Sequence, residues 1–287
     1  MEGGLAGRSD VEASRRDREA GPRKSASDGE WIIRGQASRQ HKYLFLLIMS
    51  GLSYVLSYNI SMSMRRELNQ DFFKEWSPEM AYVLGFFAAD GSMLLNNRGA
   101  HFIEFTITDR IVLEHIQRVT GSTHHIAERE RGGNCKTAYR LQIGSKEWFE
   151  DLSRLGFTQN KSKRLPLPKI PKAYFGDFVR GYFDGDGCVY FNHLSFADRK
   201  KPRWILMTLF TSGCRPFLQS LWDGLKKHGI CGGSIKNKAR GFELAFSHKD
   251  SVALHRVMYH TGKNPELHLP RKRIKLENAI RDLRMRG

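Results

Sequence analysis

The sequence predicts an α+β fold made of two pseudo-symmetric αββαββα halves, each with an antiparallel sheet covered by helices on one face. One nine-residue segment occurs twice: VLGFFAADG at 83–91 aligns with VRGYFDGDG at 179–187, at a shift of 96 residues. The strand and helix patterns that follow the two copies are also alike. Two such units in one chain imply an approximate two-fold axis.

The repeated segments are predicted to end two helices. The triplet SPE at 77–79 is typical of a helix start, with serine as the N-cap and proline at the first helical position. The segment 80–89 is apolar on every face, which indicates a helix buried all round, and it stops at Asp90-Gly91. A second helix, 178–185, stops in the same way at Asp186-Gly187.

The rest of each half repeats the same elements in the same order. Each half is predicted to contain a middle helix, then an alternating strand followed by an amphipathic helix, then a basic loop closed by proline. The matching pairs are 111–121 with 216–229, 139–157 with 242–260, and 158–168 with 261–270. We therefore assign residues 71–170 to the first repeat and residues 171–287 to the second.

Residues 1–70 precede the repeats as an N-terminal extension. We predict that this extension is disordered or not part of the native protein, and segment 1–42 lacks hydrophobic periodicity, which indicates disorder. Segment 43–64 is uncharged and reaches the length threshold for a membrane span, although five serines dilute it. One interpretation is a membrane anchor; another is that translation starts at Met62 or Met64. We favour a protein without a membrane partner.

The charge balance indicates a polyanionic partner. Lys and Arg number 47 against 30 Asp and Glu, which gives a net charge of +17, and segment 1–42 contributes only +2 of it. Basic side chains placed on phosphates release counterions, although a solvated basic surface is the alternative. The four cysteines show no CxxC pairing, so we expect free thiols and no structural zinc site.

Small residues at helical spacing predict that the two helices pack closely. Ala81, Gly85 and Ala88 form such a strip on the first helix, and Gly181 and Gly185 do so on the second. If the helices pair across the two-fold axis, their C-terminal ends converge.

Asp90 and Asp186 would then meet at these ends, where each carboxylate faces the negative end of a helix dipole. The two carboxylates would also repel each other, and a divalent cation removes both penalties. Carboxylates, backbone carbonyls and water are ligands that Mg²⁺ prefers, and clustered metals support phosphodiester hydrolysis. The alternative is that Asp-Gly only stops each helix at a turn. Because an Asp-Gly dipeptide follows both matching helices in a basic protein, we favour the metal site.

Outward-facing polar residues of the predicted strands and loops form a candidate surface for nucleic acid. A two-stranded ribbon fits the DNA major groove and can present Arg, Lys and Gln to base edges, while basic loops contact phosphates. The candidates are Lys136, Arg140, Gln142, Arg199, Lys200, Arg203, Lys236, Lys238 and Arg240. Lys161 and Lys263 take the same point of each repeat and are candidates for stabilising the reacting phosphate, or simply contact phosphates in a loop.

The paired segments VLGFFAADG and VRGYFDGDG resemble the signature helices of the LAGLIDADG homing endonucleases, in the single-chain form with two motifs. The resemblance covers about residues 71–284. It implies a monomer whose two sheets form a saddle over a long, asymmetric site in double-stranded DNA. It also implies Mg²⁺-dependent cleavage across the minor groove, with about two or three metal ions. Family members do not need residues 1–70.

The resemblance also assigns roles to residues of this sequence. Asp90 and Asp186 match the metal-binding acids, with the carbonyls of Ala89 and Gly185 beside them, and Lys161 and Lys263 match the active-site lysines. Ala88 replaces the first acid of the first motif, whereas Asp184 keeps it in the second. We expect helix-end packing at that position.

The biological expectation is intron homing by a protein of a bacterial cytoplasm, mitochondrion or chloroplast that is not secreted and requires no protein partner. Two alternatives stay open on the same fold: an RNA maturase that assists splicing of its host intron, and a non-catalytic DNA-binding regulator. Acids in both motifs weigh against the regulator because binding alone does not require them. They do not separate an endonuclease from a bifunctional maturase.

Overall fold

The structure is a computed structural model that describes residues 66–286, except 131, 134–135, 162–163, 196, 198–200 and 260–265. The first half contains α1 (Pro78–Asp90), β1 (Gly91–Leu95), β2 (His101–Ile107), α2 (Arg110–Thr120), β3 (Ile126–Arg129), β4 (Ala138–Gly144) and α3 (Lys146–Arg154). The second contains α4 (Phe175–Asp186), β5 (Gly187–Leu194), β6 (Arg203–Ser212), α5 (Arg215–Lys226), β7 (Ser234–Lys238), β8 (Gly241–Ser247), α6 (His248–Tyr259) and α7 (Pro270–Arg286).

The two halves have the same topology, which confirms the predicted α+β fold. Each has a four-stranded antiparallel sheet, in the orders β1-β2-β4-β3 and β5-β6-β8-β7. The register repeats as well, since Gly91 pairs with Phe105 on β2 and Gly187 pairs with Phe210 on β6. The ring of Phe87 lies 5.8 Å from that of Phe105, and the ring of Phe183 lies 5.8 Å from that of Phe210. The repeat seen in the sequence is therefore a repeat of packing.

Helix α1 begins and ends as the sequence predicts. The side chain of Ser77 accepts a hydrogen bond from the backbone N–H of Met80, and every residue from Met80 to Ala88 is buried. The helix runs directly into β1, because Gly91 is extended (φ −86°, ψ 160°) rather than left-handed. A Cβ on Gly91 would lie 2.1 Å from the Phe87 ring. The glycine after Asp90 thus makes room for an aromatic ring and does not form a turn.

Helices α1 and α4 pack with their backbones in contact, as the small-residue strip predicts. A Cβ on Gly85 would lie 2.1 Å from the carbonyl oxygen of Phe178, and one on Gly181 would lie 2.0 Å from that of Tyr82. Real Cβ atoms essentially never come within 3.0 Å of such atoms. Only glycine therefore permits this helix pairing, which brings the C-terminal ends of α1 and α4 together.

Each sheet buries one face under helices and leaves side chains of the other face accessible. On β2, Ile103 and Phe105 are fully buried, whereas Glu104 and Thr106 between them are partly exposed. The alternation follows from the two-residue period of a strand. Arg140 and Gln142 on β4 pair with Thr106 and Glu104, so they lie on this accessible face.

Helix α7 departs from the predicted architecture. The sequence pattern predicts that the second half ends with one amphipathic helix and a basic loop, but the chain continues past Leu269-Pro270 into a helix of 17 residues. Leu276, Ala279 and Ile280 are buried on one side of it, which is the ordinary spacing of an amphipathic helix. The second repeat therefore carries one helix more than the predicted αββαββα unit.

Several predictions about the N-terminal extension fall outside the described residues, including the apolar segment 43–64 and the alternative starts at Met62 and Met64. No helix among the described residues is long and apolar enough to cross a membrane. Cys188, Cys214 and Cys231 are free thiols, whereas Cys135 is outside the described part of the chain.

Gly85→Ala should destabilise the protein strongly, because the new methyl group would overlap the backbone of α4. We expect the free energy of unfolding, measured by chemical denaturation, to fall by about 2 kcal/mol or more. Gly144→Ala is the matched control, since a Cβ there would lie 3.6 Å from the Phe102 ring, an ordinary contact. Equal effects of the two substitutions would contradict the close helix pairing.

Candidate functional site

Asp90 and Asp186 are the last residues of α1 and α4, and both side chains are partly exposed. The two helix ends are close: a Cβ on Gly185 would lie 2.4 Å from the Cβ of Ala89 and 3.1 Å from Oδ2 of Asp90. The carboxyl group of Asp90 thus lies against the end of the opposite helix. The structure brings the two predicted acids and the carbonyls of Ala89 and Gly185 to one place.

Two buried lysines cap the same helix ends. Lys161 Nζ donates to the carbonyl oxygens of Ala88 (2.7 Å) and Ala89 (3.4 Å) at the end of α1. Lys272 Nζ donates to those of Phe183 (2.9 Å), Asp184 (2.8 Å) and Gly185 (2.8 Å) at the end of α4. The last carbonyls of a helix lack partners within the helix and carry the negative end of its dipole. Each ammonium group therefore satisfies these oxygens and adds a positive charge beside an acid.

Burial and charge shift the titration of all four groups. Burial raises the pKa of Asp90 to about 6, with repulsion from Asp186 adding to the rise and Lys272 and Lys161 opposing it. Burial also raises the pKa of Asp186, against the attraction of the same two lysines. In the opposite direction, burial lowers the pKa of Lys161 to about 8 and lowers that of Lys272. The four side chains therefore form a single electrostatic cluster.

Asp184, the first acid of the second motif, does not face this cluster as a free ligand. It is fully buried, and its Oδ2 accepts hydrogen bonds from the hydroxyl of Tyr82 and the backbone N–H of Leu269, both at 2.8 Å. Burial raises its pKa to about 6, while the Tyr82 hydroxyl and Lys272 act in the opposite direction. Asp184 thus joins α1, α4 and the segment before α7.

Comparison with known proteins shows what the first half of the chain is similar to. Residues 77–156 match the model of the LAGLIDADG-like domain. The chain carries a LAGLIDADG-like domain. The match confirms the resemblance of the first motif, and the α+β fold is similar to that of LAGLIDADG homing endonucleases.

Two solved structures illustrate the match in fold. The meganuclease I-SmaMI bound to uncleaveable DNA is 17% identical, with 74% of this chain and 90% of that chain covered and a TM-score of 0.51. The LAGLIDADG meganuclease I-AabMI bound to uncleaved DNA is 13% identical, with 74% and 92% covered and a TM-score of 0.51.

Two curated relatives from Methanocaldococcus jannaschii align with part of the chain. The uncharacterized protein MJ0398 is 23% identical over 129 residues, which is 42% of this chain and 43% of that protein. The DNA-directed RNA polymerase subunit Rpo1C is 25% identical over 180 residues, which is 62% of this chain and 19% of that subunit. The aligned part spans less than half the length of either relative.

The C-terminal ends of α1 and α4 offer donors that suit a hard divalent cation. The donors are the carboxylates of Asp90 and Asp186 with the carbonyls of Ala89 and Gly185, all oxygen. The described residues contain no cluster of three or more His, Cys, Asp and Glu side chains that could enclose a metal. Magnesium tolerates such an open set because it keeps water ligands and binds substrate phosphates. Burial raises the pKa of Asp90 to about 6, with repulsion from Asp186 adding to the rise, and a bound cation would act in the opposite direction.

The predicted lysine pair is only half described. Lys161 lies at the site, whereas Lys263 falls outside the described residues. In the second half the corresponding contacts are made by Lys272, which is not among the residues predicted from the sequence. In the first half, Lys161 comes before the leucine–proline segment 165–168. In the second half, Lys272 comes after the leucine–proline segment 269–270, so an alignment of the two loops does not pair these lysines. Recognising α7 from Pro270 and its apolar spacing would have placed Lys272 in the first turn of a helix.

The candidate DNA-contacting residues are distributed over both sheets. Lys136, Arg203, Lys236, Lys238 and Arg240 are exposed, Arg140 and Gln142 are partly exposed, and Arg199 and Lys200 are outside the described residues. Arg140 and Gln142 both lie near Glu104, at 3.6 Å and 3.3 Å. Lys238 forms an ion pair with Glu243. Lys238 and Arg240 also line one hollow together with Asp186, which places basic residues beside the acid.

Asp90→Asn should stabilise the metal-free protein at pH 8. The pKa of Asp90 is raised from 3.8 to about 6 on folding, so its stabilising contribution is complete below pH 4 and is lost as the pH rises through 6. Removing the charge should raise the free energy of unfolding at pH 8 by about 1–2 kcal/mol, allowing for solvent screening, and change it little at pH 4.

Denaturation of both proteins in a chelating buffer at pH 4, 6 and 8 measures the difference. Asp282→Asn, a change of the same type on α7, is the control. If the difference in free energy of unfolding between Asp90→Asn and the unaltered chain does not vary with pH, the raised pKa of Asp90 is contradicted.

Proposed function

We propose that this chain is a site-specific endonuclease that cuts both strands of a long, asymmetric DNA site with the help of Mg²⁺. The observation that carries the proposal is the cluster at the paired helix ends, where each half supplies one acid and one buried lysine. The two strands of a duplex are themselves related by local two-fold axes. A protein with two related acid–lysine sets about one axis therefore suits a reaction at one phosphate of each strand.

The side chains of the cluster divide the chemistry between them. Bound Mg²⁺ would activate water and stabilise the leaving oxygen. Asp90 and Asp186 would hold the ions, with the carbonyls of Ala89 and Gly185 at the edge of the site. Lys161, whose pKa is lowered to about 8, can hold or release a proton near neutral pH. An ammonium group kept in a partly desolvated place also stabilises charge that develops on a phosphate.

The binding surface supports DNA as the substrate. The accessible face of the first sheet carries Arg140 and Gln142, and the β7–β8 hairpin of the second carries Lys238 and Arg240 next to Asp186. Arginine and glutamine are the side chains that read guanine and adenine edges in the major groove. The two sheets carry different side chains at matching positions, so an asymmetric target is expected. Meganucleases of the same fold are described as bound to DNA, which agrees with this proposal.

A role in intron mobility extends the proposal and rests on the resemblance of both motifs to those of homing endonucleases. Because one chain supplies both acids, a monomer is sufficient for both cuts. The natural target would then be the sequence that is re-formed when the regions flanking the reading frame are joined.

Asp90→Asn and Asp186→Asn should each abolish double-strand cleavage while leaving DNA binding within about threefold of that of the unaltered chain. The assay is linearisation of a plasmid that carries the joined flanks, with Mg²⁺ or with a chelator, alongside a gel-shift measurement. Asp223→Asn, an exposed acid of α5, is the control and should cut normally.

Near-normal cutting by both motif variants would refute the proposed centre. Two further outcomes would each overturn the endonuclease proposal. Binding without cleavage by the unaltered chain would indicate a regulator, and rescue of intron splicing without DNA cleavage would indicate an RNA maturase.

Arg140→Ala should weaken DNA binding by about 1–3 kcal/mol and relax sequence preference at one base pair. The reason is that Arg140 lies on the accessible sheet face, where a guanidinium can reach a base edge. Titration of the target and of single-base variants measures both effects. Arg110→Ala is the control because Arg110 pairs with Glu114 on α2. A uniform loss across all targets would make Arg140 a phosphate contact instead.

A further inference from the structure

The segment 267–272 leads into α7 and is held by charged groups of other elements at several points. Nε of Arg180 donates to the carbonyl of Leu267 at 2.8 Å, and the backbone N–H of Leu269 donates to Asp184 at 2.8 Å. Arg180 and Asp184 both belong to α4 and are buried. The segment is therefore anchored on its inner side to the helix whose end Lys272 caps.

On its outer side the same segment is anchored to the first half. Nε and Nη2 of Arg271 donate to Oδ1 and Oδ2 of Asp109 at 2.8 Å and 2.6 Å. This is a bidentate ion pair between residues 162 positions apart. A guanidinium–carboxylate pair of this form fixes direction as well as distance. The pairing also holds the pKa of Asp109 below its usual range.

Asp109 lies at the N-cap of α2 but does not cap that helix. Its side chain accepts no capping hydrogen bond, although an N-cap aspartate usually binds the N–H of the second or third helical residue. Both carboxylate oxygens are directed to Arg271 instead. The Asp109 carboxylate thus joins the two halves through Arg271 and does not cap α2.

We propose that Asp109 and Arg271 are positioning residues that hold Lys272 at the end of α4, so that the second half of the site depends on the first. Lys272 follows Arg271 directly, and its ammonium group donates to three carbonyl oxygens of α4. Rotation of the first turn of α7 would move it away from all three. This inference rests on the proposed endonuclease function.

The first half lacks a matching dependence among the described contacts. Lys161 donates to Ala88 and Ala89 and lies over the ring of Phe87, all in α1 of its own half. Loss of the Asp109–Arg271 pair should therefore disturb one lysine and spare the other. Since each lysine lies nearer to one strand of a duplex bound across the two-fold axis, the two strands should be affected unequally.

The test measures the cleavage rate of each strand separately, with a duplex target labelled on either strand and with a supercoiled plasmid. Asp109→Ala and Arg271→Ala should each slow one strand by about tenfold, cause nicked plasmid to accumulate and leave the Kd for DNA nearly unchanged. The slow strand should be the one slowed by Lys272→Ala. The double variant should be no slower than either single variant, because the two residues act as one pair.

Glu114→Ala is the matched control, since it removes one negative charge from the same helix and should keep the strands balanced. Equal slowing of both strands, or additive effects in the double variant, would overturn the inference. If the alanine variants do not fold, Asp109→Asn, which keeps the side-chain volume, decides by the same strand ratio. Failure of the unaltered chain to cut DNA would instead refute the proposed function.

Discussion

The direct backbone contact between α1 and α4 is the constraint on which the rest of the structure depends. Gly85 and Gly181 leave no side chain between the helices, so the carbonyl of each neighbouring residue occupies the space that a Cβ would fill. The strands follow without a turn, since Gly91 and Gly187 run straight from the helices into β1 and β5. The helix pairing therefore fixes both the acids at the helix ends and the sheets that begin one residue later.

This pairing concentrates negative charge, and the surrounding residues compensate for it only in part. Two helix ends with unsatisfied carbonyls meet where two carboxylates also lie. Lys161 and Lys272 satisfy the carbonyls, yet burial, with repulsion from Asp186 added, still raises the pKa of Asp90 to about 6. Acids that are held ionised at a cost in stability are typical of function maintained against stability. The buried lysines and the raised pKa values of the two acids thus both follow from the close pairing of α1 and α4.

Local patterns predict most of the fold but only part of the site. The repeated motif, the proline-led start of α1 and the strand–helix periodicity depend on neighbouring residues, so they identify the halves, the helix pairing and both acids. Aligning the two repeats pairs Lys161 with Lys263 because the alignment treats the repeats as equivalent, and for this reason it does not find Lys272. Lys272 reaches the cluster from α7, an element without a counterpart in the first half. The Asp109–Arg271 pair joins residues 162 positions apart, and no local pattern marks it.

The differences between the halves also explain why only one motif keeps its first acid. In the second half, the buried Asp184 accepts hydrogen bonds from Tyr82 of α1 and from the backbone of Leu269, so its carboxyl holds the segment before α7. In the first half, Lys161 reaches the end of α1 from a loop, and the equivalent position can be Ala88 without leaving a polar group unpaired. The acid at this position thus binds the segment that carries Lys272. The ends of α1 and α4 are alike, whereas the lysines that contact them belong to different elements, a loop in the first half and α7 in the second.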